Sequence, residues 1–518
     1  MPKIAYHQLP VIEQFQSESE SGSSLQNLKV KANKWCYFLS CKINVRLTLI
    51  ICFSFVLAYF VVLVVFSKDY RILNGTRRRW QLVRNQVRHS FGWGGPVKYF
   101  GNSRNLSSNQ NVDDWKLVPG GGSGDQYFVY SAYIDKDGNN RSILRIIAIA
   151  PSYSTHKFEC YLKDEDENTY AIVPGHVETG KTYIDTEYSA AFIICSLYLT
   201  ISSLPEPKYV TLSPGESSQQ EDDQEPPTLR IYQNLNRIKH QFGVCVQPIF
   251  SYDDTPRFVQ WMEYNILMGA THFTFYNISI GPSVSCVLEE YKNSDNGIQV
   301  EVLPWSSPIQ DDDLLHNNDQ YGQASECVFR SRGKIEHLLM IDLDEYIVPS
   351  FPDRVQNYGE LYIEISAQAK LGLPEGKDAV QFGFANGIFD LDCDNGTEKG
   401  EKNENEGIMS VQDLIIYRRI TRPKAVDYGQ MKFITTPNLV IEPGIHNLAN
   451  SVDEKYVEFQ VKPDLAYLHH YKGNGANNDK CQNPDGVDQS GQFYADKLLP
   501  LVNSRMQYVQ KYCKFKNN

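Results

Sequence analysis

Apolar and polar residues alternate in the second half of the chain so that short strands and helices are predicted one after another. Strands are predicted at residues 243–250, 272–276 and 300–303, and helices are predicted to begin at Thr255 and to cover residues 320–332. Such a succession is typical of an α/β fold with a mostly parallel sheet covered on both faces. Ligands of these sheets bind outside the carboxyl ends of the strands.

The strand predicted at residues 338–346 ends in acidic residues. Its sequence, LLMIDLDEY, places Asp342, Asp344 and Glu345 after a run of four apolar residues. Residues two apart in a strand share a face, so that Asp342 and Asp344 can reach one cation. Oxygen ligands suit Mg²⁺ or Mn²⁺, and such an ion can bridge carboxylates to a pyrophosphate. Asp-x-Asp is also common in solvated acidic turns, but its place at the end of a buried strand favours a metal site.

Residues 127–211 show a different pattern, in which apolar runs are separated by clusters of Gly, Asn and Asp. The runs FVYSAYID, SILRIIAIA and AAFIICSLYLT predict strands without intervening helices. We interpret residues 118–212 as a smaller β-rich domain in which Cys160 and Cys195 can form a disulfide bond. Residues 213–230 are acidic and poor in apolar side chains, which predicts a linker. The α/β domain is then assigned to residues 240–515.

Residues 47–66 predict a single transmembrane helix. They contain no charged residue and, as a helix, would span about 30 Å, the thickness of a bilayer core. A cleavable signal peptide is the alternative, but 46 residues precede the segment and no small-residue cleavage site follows it. We therefore predict a cytoplasmic tail at residues 1–46, a signal anchor at 47–66 and a stem at 67–117.

Glycosylation sequons predict which side of the membrane holds the folded domains. Basic residues flank the span about equally and do not decide its orientation. Five Asn-x-Ser/Thr triplets all follow the span, and they begin at Asn74, Asn105, Asn140, Asn277 and Asn395. The eight cysteines beyond the span are an even number, as expected in an oxidising compartment. These features predict a lumenal or extracellular, type II orientation.

The net charge narrows the choice of partners. A formal charge of −12 argues against nucleic acid, because phosphate backbones attract basic surfaces. An anionic sugar nucleotide approaches an acidic surface only where a cation intervenes, which agrees with a metal site. The cysteines show no Cys-x-x-Cys spacing, so that a zinc module is not expected.

Several segments of the α/β region resemble glycosyltransferase family 92, a group once described as a domain of unknown function. The resemblance spans roughly residues 240–475. It is carried by Cys245, Gln247 and Pro248, by WMEYNILMGATHFTFYN at residues 261–277, by Tyr291 and Trp305, and by ECVFRSRGKIEHLLMIDLDEYIVP at residues 326–349. The run FVYSAYID resembles the β-rich segment that often precedes the catalytic domain of this family.

The resemblance implies a type II Golgi membrane enzyme with a GT-A type fold, an inverting mechanism and a nucleotide-sugar donor. Members of the family use UDP-galactose with Mn²⁺ and form β-1,4 linkages, and the chain resembles the nematode group that galactosylates the core fucose of N-glycans. In this interpretation Asp344 binds the metal, and Asp342 contacts the ribose or shares the ion. Glu345 either orients both of them or is an exposed carboxylate at the end of the strand. The implied partners are a nucleotide sugar, a glycan or glycoprotein acceptor and the membrane.

The C-terminal part of the resemblance supplies further candidate site residues. Lys432 lies where the family has a Lys, and Lys472 replaces an Arg, which keeps the charge but loses the bidentate phosphate contact. Together with Pro248 and Asp342, both are assigned to donor binding. The resemblance also implies a metal ligand from a C-terminal His, for which we choose His470 over the earlier His446, and a structural role stays open for either.

Inverting transfer needs a carboxylate that removes the proton of the acceptor hydroxyl. Asp390 and Asp392 follow the apolar run AVQFGFANGIF and are candidates for this base, with ordinary loop acids as the alternative. The leading hypothesis is a metal-dependent transfer of a hexose, with galactose as the expected sugar. The alternative is a glycan-binding or receptor-like ectodomain, a degenerate transferase without turnover. The sequence does not identify the acceptor.

Overall fold

A computed structural model describes residues 114–118, 125–180, 186–199, 205–215, 226–233, 237–294, 296–391, 408–473 and 486–513. The predicted tail, the predicted membrane span and most of the predicted stem lie outside these residues. Within the described ranges, no helix combines the length and the apolar character needed to cross a membrane.

Eight strands of the N-terminal part form one sheet. They are β1 Lys116–Val118, β2 Tyr127–Lys136, β3 Ser142–Pro151, β4 Lys157–Lys163, β5 Thr169–Thr179, β6 Tyr188–Cys195, β7 Tyr209–Pro214 and β8 Thr228–Tyr232. Their order is β1-β2-β3-β6-β5-β4-β7-β8, and β8 also pairs with β2, so that the sheet closes on itself. The sheet begins before residue 118 and takes its last strand partly from the segment predicted as a linker, because Leu229 and Ile231 are buried in it.

Strand β3 is apolar on both faces because both faces are covered. Leu144 and Ile146 pack inside the first sheet. Ile147 and Ile149 pack into a second core, which contains residues of the α/β domain such as Phe329. This double burial explains the nearly continuous apolar run of β3, since neither side of the strand meets water.

Nine strands of the C-terminal part form the second sheet. They are β9 His240–Cys245, β10 Ala270–Asn277, β11 Gln299–Pro304, β12 Ile335–Met340, β13 Glu345–Pro349, β14 Asp378–Asp390, β16 Asp427–Thr435, β19 Tyr456–Gln460 and β20 Ala466–Lys472. Two short ribbons join β15 Thr421–Arg422 to β21 Gly486–Val487, and β17 Val440–Glu442 to β18 Asn450–Ser451. The order of the main path is β11-β10-β9-β12-β16-β14-β20-β13, and β19 pairs with β14.

The second sheet changes character along this path. Strands β11, β10, β9 and β12 are parallel to one another, whereas β16 runs antiparallel to both β12 and β14. Strand β20 is parallel to β14 and antiparallel to β13. The sheet is therefore parallel in its first four strands and mixed beyond them. Because β16 is antiparallel to both of them, β12 and β14 run in the same direction, and their carboxyl ends lie at the same edge of the sheet.

Six helices accompany the second sheet within the described residues. They are α1 Thr255–Leu267, α2 Pro282–Asn293, α3 Gln320–Ser331, α4 Tyr358–Gly372, α5 Ile415–Arg418 and α6 Ala495–Tyr512. The first begins where Asp254 accepts a hydrogen bond from the N–H of Arg257 and Pro256 occupies the first turn. It ends before Gly269, whose φ of 105° suits a residue without a side chain.

The strand predicted at residues 338–346 is interrupted, so that this prediction was wrong in its second half. Strand β12 ends at Met340, the chain then turns, and β13 begins at Glu345. Strand β13 pairs with β20 instead of extending β12. Both strands are buried, and the apolar residues on either side of the acidic ones were therefore read as a single strand.

Helix α3 ties the first sheet to the α/β domain through buried charges. Tyr133 of β2 donates a hydrogen bond to Glu326 Oε1 at 2.6 Å, and Arg330 donates to the same oxygen at 2.7 Å. Arg332 Nη1 lies 2.6 Å from Asp135 Oδ1 of β2. Loss of one partner of such a buried pair leaves an uncompensated charge. The contacts therefore fix the first sheet against the α/β domain.

Three disulfide bonds occur among the described residues. The predicted bond between Cys160 and Cys195 is confirmed and lies within the first sheet. The other two join the end of β9 to α3 and α2 to the residue after α6, through Cys245–Cys327 and Cys286–Cys513. The former fixes α3 at the carboxyl edge of the parallel strands.

Candidate metal centre

The acidic turn, residues 342–345, lies at the carboxyl end of β12. The N–H of Glu345 donates to the carbonyl oxygen of Asp342 at 3.2 Å, and the N–H of Asp342 donates to Glu345 Oε2 at 2.8 Å. These reciprocal bonds fix the turn and point the Glu345 side chain back toward Asp342. Because β9 lies parallel beside β12, the turn stands at the edge where such sheets bind ligands.

Lys432 provides the positive charge of the site. It lies on β16, next to β12, is only 4% exposed, and places Nζ 2.9 Å from Asp342 Oδ2 and 3.8 Å from Glu345 Oε2. Burial acts to lower the pKa of Lys432, but the charges of Asp342 and Glu345 outweigh it and raise the pKa above its usual value. The lysine is therefore charged at any physiological pH and pairs with Asp342.

Asp344 and His470 form the second half of the site. His470 lies on β20 opposite Glu345 and places Nε2 3.3 Å from Asp344 Oδ2. Burial acts to raise the pKa of Asp344, whereas the hydrogen bond to His470 and the charge of that histidine lower it more. The pKa of His470 is raised, because the hydrogen bond to Asp344 and the charge of Glu345 outweigh burial. The pair thus favours an ionised Asp344.

Glu345 is the buried centre of the cluster. Its side chain is 2% exposed, and Oε1 lies 3.7 Å from His470 Nδ1. Burial raises its pKa to about 8, against the opposing charge of Lys432 and with support from the charge of Asp342. A bound cation would reverse this shift, since it stabilises the ionised carboxylate.

Asn386 completes the surroundings of His470. This residue of β14 is 2% exposed and places Nδ2 3.2 Å from His470 Nδ1 and 3.4 Å from Gln430 Oε1. A contact at Nδ1 fixes the plane of the imidazole and leaves Nε2 directed at Asp344. Sequence reasoning missed Asn386, and the available signal was a single amide within an otherwise apolar strand.

Three buried polar atoms of this region have no hydrogen-bond partner among the described residues. They are Asp342 Oδ1, Asn386 Oδ1 and the hydroxyl of Tyr252. Tyr252 belongs to the loop after β9. Its pKa is raised mainly by burial and then by the charge of Asp254, and the charge of Asp344 adds a smaller contribution. Buried polar atoms normally find partners, so that unpaired ones at a sheet edge indicate a place for a polar ligand.

The residues present fit a divalent cation. One atom from each of Asp344, Glu345 and His470 lies within 4.8 Å of the others. Two carboxylates and one imidazole are hard and borderline ligands, which suit Mn²⁺ or Mg²⁺. With His470 neutral, as a ligand must be, the three carboxylates Asp342, Asp344 and Glu345 outnumber the one ammonium group of Lys432 beside them by two charges, which a dication would balance. Asp344 is 45% exposed and leaves the ion accessible to a substrate.

The predicted metal ligands are thus only partly brought together. Asp344 and His470 are adjacent, whereas Asp342 is turned toward Lys432 and does not belong to the three-residue cluster. The prediction that Asp342 and Asp344 share a face was wrong, because both lie in a turn rather than in a strand. Glu345, which the sequence suggested as a supporting acceptor, is the residue that contacts both halves of the site.

Asp390 and Lys472 lie further out on the same side. Asp390 is the last residue of β14 and pairs with Lys472, the last residue of β20. In regular strands, residues separated by an even number share a face, so that Asp390 lies on the face of Asn386 and Lys472 on that of His470. Four residues of strand place Asp390 roughly 13 Å beyond Asn386. Asp390 and Lys472 therefore lie outside the cluster of Asp344, Glu345 and His470, at the carboxyl ends of β14 and β20.

The remaining sequence candidates take other places. Pro248 is half-buried in the loop that follows β9, at the same edge as the acidic turn. Asp392 lies outside the described residues. His446 Nδ1 lies 3.1 Å from the carbonyl oxygen of Met431, and His446 does not belong to the three-residue cluster found among the described residues. The choice of His470 over His446 as the histidine beside Asp344 agrees with this geometry.

Comparison with known proteins identifies the family. A model of the family described as "Glycosyltransferase family 92" matches residues 240–511, which are more than half of the chain. A relative from Caenorhabditis elegans, "Beta-1,4-galactosyltransferase galt-1", is 22% identical over 236 residues, which cover 45% of this chain and 48% of the relative. The chain thus aligns with about half the length of that relative.

The matched region contains every residue of the acidic turn, Lys432 and His470. It begins at the first residue of β9 and ends within α6, so that it covers the second sheet and its helices. The resemblance found in the sequence is therefore confirmed. The chain belongs to glycosyltransferase family 92.

Proposed function

We propose that the protein is a metal-dependent, inverting enzyme with a GT-A type fold that transfers galactose from UDP-galactose, in β-1,4 linkage, to a glycan. The observation that carries the proposal is the cluster of Asp344, Glu345 and His470 within 4.8 Å at the carboxyl edge of parallel strands. The name of the C. elegans relative supports galactose as the sugar and β-1,4 as the linkage.

Each side chain of the site has a role in this proposal. Asp344, Glu345 and His470 would hold Mn²⁺ or Mg²⁺, and the buried Glu345 also fixes the turn. A bound ion neutralises the diphosphate and stabilises the charge that develops on departing UDP. Lys432 holds Asp342 through Oδ2, and Oδ1, which has no partner among the described residues, would be available to the donor ribose or to the ion. Lys472 is exposed at the end of β20, where it can approach the diphosphate.

The acceptor side requires a base that takes the hydroxyl proton. Asp390 is our candidate for this base. It is half-buried and lies on the face of β14 that carries Asn386, further along the strand than the metal cluster. Such a carboxylate contributes roughly 10²- to 10⁴-fold to the rate of transfer. Asp392 is kept as a second candidate from the sequence.

The test of the proposed function is a transfer assay with the full-length chain purified in detergent. We expect galactose transfer from UDP-galactose in Mn²⁺, its loss in EDTA, and its recovery when Mn²⁺ is restored. Fucosylated and non-fucosylated N-glycans serve as paired acceptors, and we expect transfer only to the former. Glycan binding without transfer from any common nucleotide sugar would instead establish the degenerate, glycan-binding alternative.

We propose a Golgi location with one membrane span and a lumenal catalytic domain. The support comes from the sequons beyond residues 47–66, two of which fall in the described chain at Asn140 and Asn277. Asn140 and Ser142 are exposed at the turn between β2 and β3. The side chain of Asn277 instead accepts a hydrogen bond from the N–H of Ile280 at 2.8 Å.

The exposed sequon gives a direct test of orientation. Asn140→Gln is expected to remove one N-glycan from the protein made in eukaryotic cells, because an acceptor at a hairpin tip is accessible in the lumen. The measurement is the gel mobility of the variant before and after endoglycosidase treatment. Asn139→Gln, one residue away and outside the triplet, is the control. Equal mobility of both variants before digestion would contradict a glycosylated, lumenal Asn140.

A further inference from the structure

The side-chain amide of Asn386 is buried against the histidine of the metal centre. Its Nδ2 lies 3.2 Å from His470 Nδ1, while its Oδ1 has no hydrogen-bond partner in the described chain. The register of β14 and β20 holds this contact, since Asn386 pairs with Leu468 and Ile388 with His470. A polar amide at a position that is 2% exposed, with one oxygen unpaired, needs an explanation beyond packing.

The orientation of the amide fixes the tautomer of His470. When Nδ2–H donates to Nδ1, the neutral ring carries its proton on Nε2 and donates it to Asp344 Oδ2, 3.3 Å away. A nitrogen with a proton cannot ligate a metal, because ligation uses the lone pair. In this orientation His470 and Asp344 therefore bond to each other rather than to an ion.

The opposite orientation prepares the same ring for a metal. Oδ1 and Nδ2 of an amide have nearly the same shape, and rotation by about 180° exchanges them. Oδ1 of Asn386 then accepts a hydrogen bond from the protonated Nδ1 of His470, and Nε2 presents its lone pair toward Asp344. Glu345 Oε1, at 3.7 Å from Nδ1, is a more distant acceptor. Gln430, which is exposed, can turn its own amide to match.

We propose that Asn386 is the positioning residue of the metal centre, whose amide selects the tautomer of His470 that binds a divalent cation through Nε2. The inference rests on the proposed function, because it assumes an ion beside Asp344. Acceptors of this kind behind a metal-bound histidine typically change metal affinity by about 10- to 100-fold. Asn386 acts on the ion only through His470, and its effect must disappear when the imidazole is removed.

The experiment measures Mn²⁺ affinity of the full-length protein without nucleotide, by the electron paramagnetic resonance signal of free Mn²⁺. We expect Asn386→Leu, which keeps the size but removes the acceptor, to weaken binding about 10- to 100-fold. Asn386→Asp, which retains an acceptor oxygen, is expected to restore binding to at least the wild-type affinity. In a His470→Ala background, Asn386→Leu should have no further effect, which completes a double-mutant cycle.

The outcomes separate this inference from the proposed function. Absence of Mn²⁺ binding by the wild-type protein would overturn the metal centre itself and this inference with it. Wild-type binding with an unaffected Asn386→Leu variant would overturn only the role of Asn386. Additive effects of Asn386→Leu and His470→Ala would do the same, because they would show a role that does not pass through the imidazole. Thermal unfolding of each metal-free variant confirms that it is folded.

Discussion

Asp344→Ala is expected to lower galactose transfer at least about a hundredfold and to weaken Mn²⁺ binding in parallel. The carboxylate lies beside His470 Nε2 at 3.3 Å and is one of the three ligands that the cluster offers. A metal ion contributes several kcal/mol of charge stabilisation in the transition state, and each 1.4 kcal/mol corresponds to a factor of ten in rate. Initial rates at saturating UDP-galactose, measured over a series of Mn²⁺ concentrations, give both quantities.

The same substitution should leave the fold intact. Asp344 is 45% exposed and close to two other carboxylates, so that its removal relieves repulsion while it deprives His470 of a partner. We expect the free energy of unfolding of the metal-free protein to change by less than about 1 kcal/mol. Asp353→Ala, at an exposed acid elsewhere, is the matched control for activity. Undiminished transfer by Asp344→Ala would remove the basis of the metal-dependent mechanism.

The sequence predicted the place of the acidic turn but not its shape. An apolar run that ends in carboxylates marks the end of a buried strand, because charged side chains cannot continue into the core. The apolar run LLMI before the turn and the apolar residues after it look alike, so that they were read as one strand. The pattern along one segment also contains no information about which strands it pairs with. Strand β13 pairs with β20, and Asp344 meets a histidine that is 126 residues distant in sequence.

The distant members of the site could be found only through the family resemblance. Lys432 and His470 lie on β16 and β20, and no local spacing connects either of them to the acidic turn. The mixed half of the sheet brings them together, since β16 pairs with β12 and β20 with β13. Asn386 was missed because the pattern of apolar residues along β14 does not show that a single amide within it is buried against another side chain.

The contact between the two sheets was also not predictable from local pattern. Tyr133 and Asp135 occur in the apolar run that predicted β2, whereas their partners, Glu326 in α3 and Arg332 directly after it, lie almost 200 residues later. The same is true of β3. Its apolar sequence indicated that the strand is buried, but it did not indicate which elements cover its two faces. The acidic linker suggested separable domains, but the charges of α3 attach the first sheet firmly to the second.

Lys432→Met is expected to destabilise the metal-free protein by about 3–5 kcal/mol at neutral pH, the cost of leaving buried charges without a partner. Methionine keeps the apolar stem but removes the ammonium group that lies 2.9 Å from Asp342 and 3.8 Å from Glu345. Urea unfolding in EDTA measures the loss. Lys462→Met, at an exposed lysine, is the control and is expected to change stability by less than about 0.5 kcal/mol.

Two conditions should reduce this loss of stability. Mn²⁺ should stabilise Lys432→Met more than the wild-type protein, because a dication replaces the missing charge and binds only the folded state. Acidification should also help, since burial already raises the pKa of Glu345 to about 8 in the wild-type protein, and loss of the lysine raises it further. A carboxyl whose pKa is raised by folding binds protons in the folded state, so that stability increases as the pH falls through that pKa. A metal-free Lys432→Met variant as stable as the wild-type protein at pH 8 would show that Lys432 does not neutralise the acidic turn.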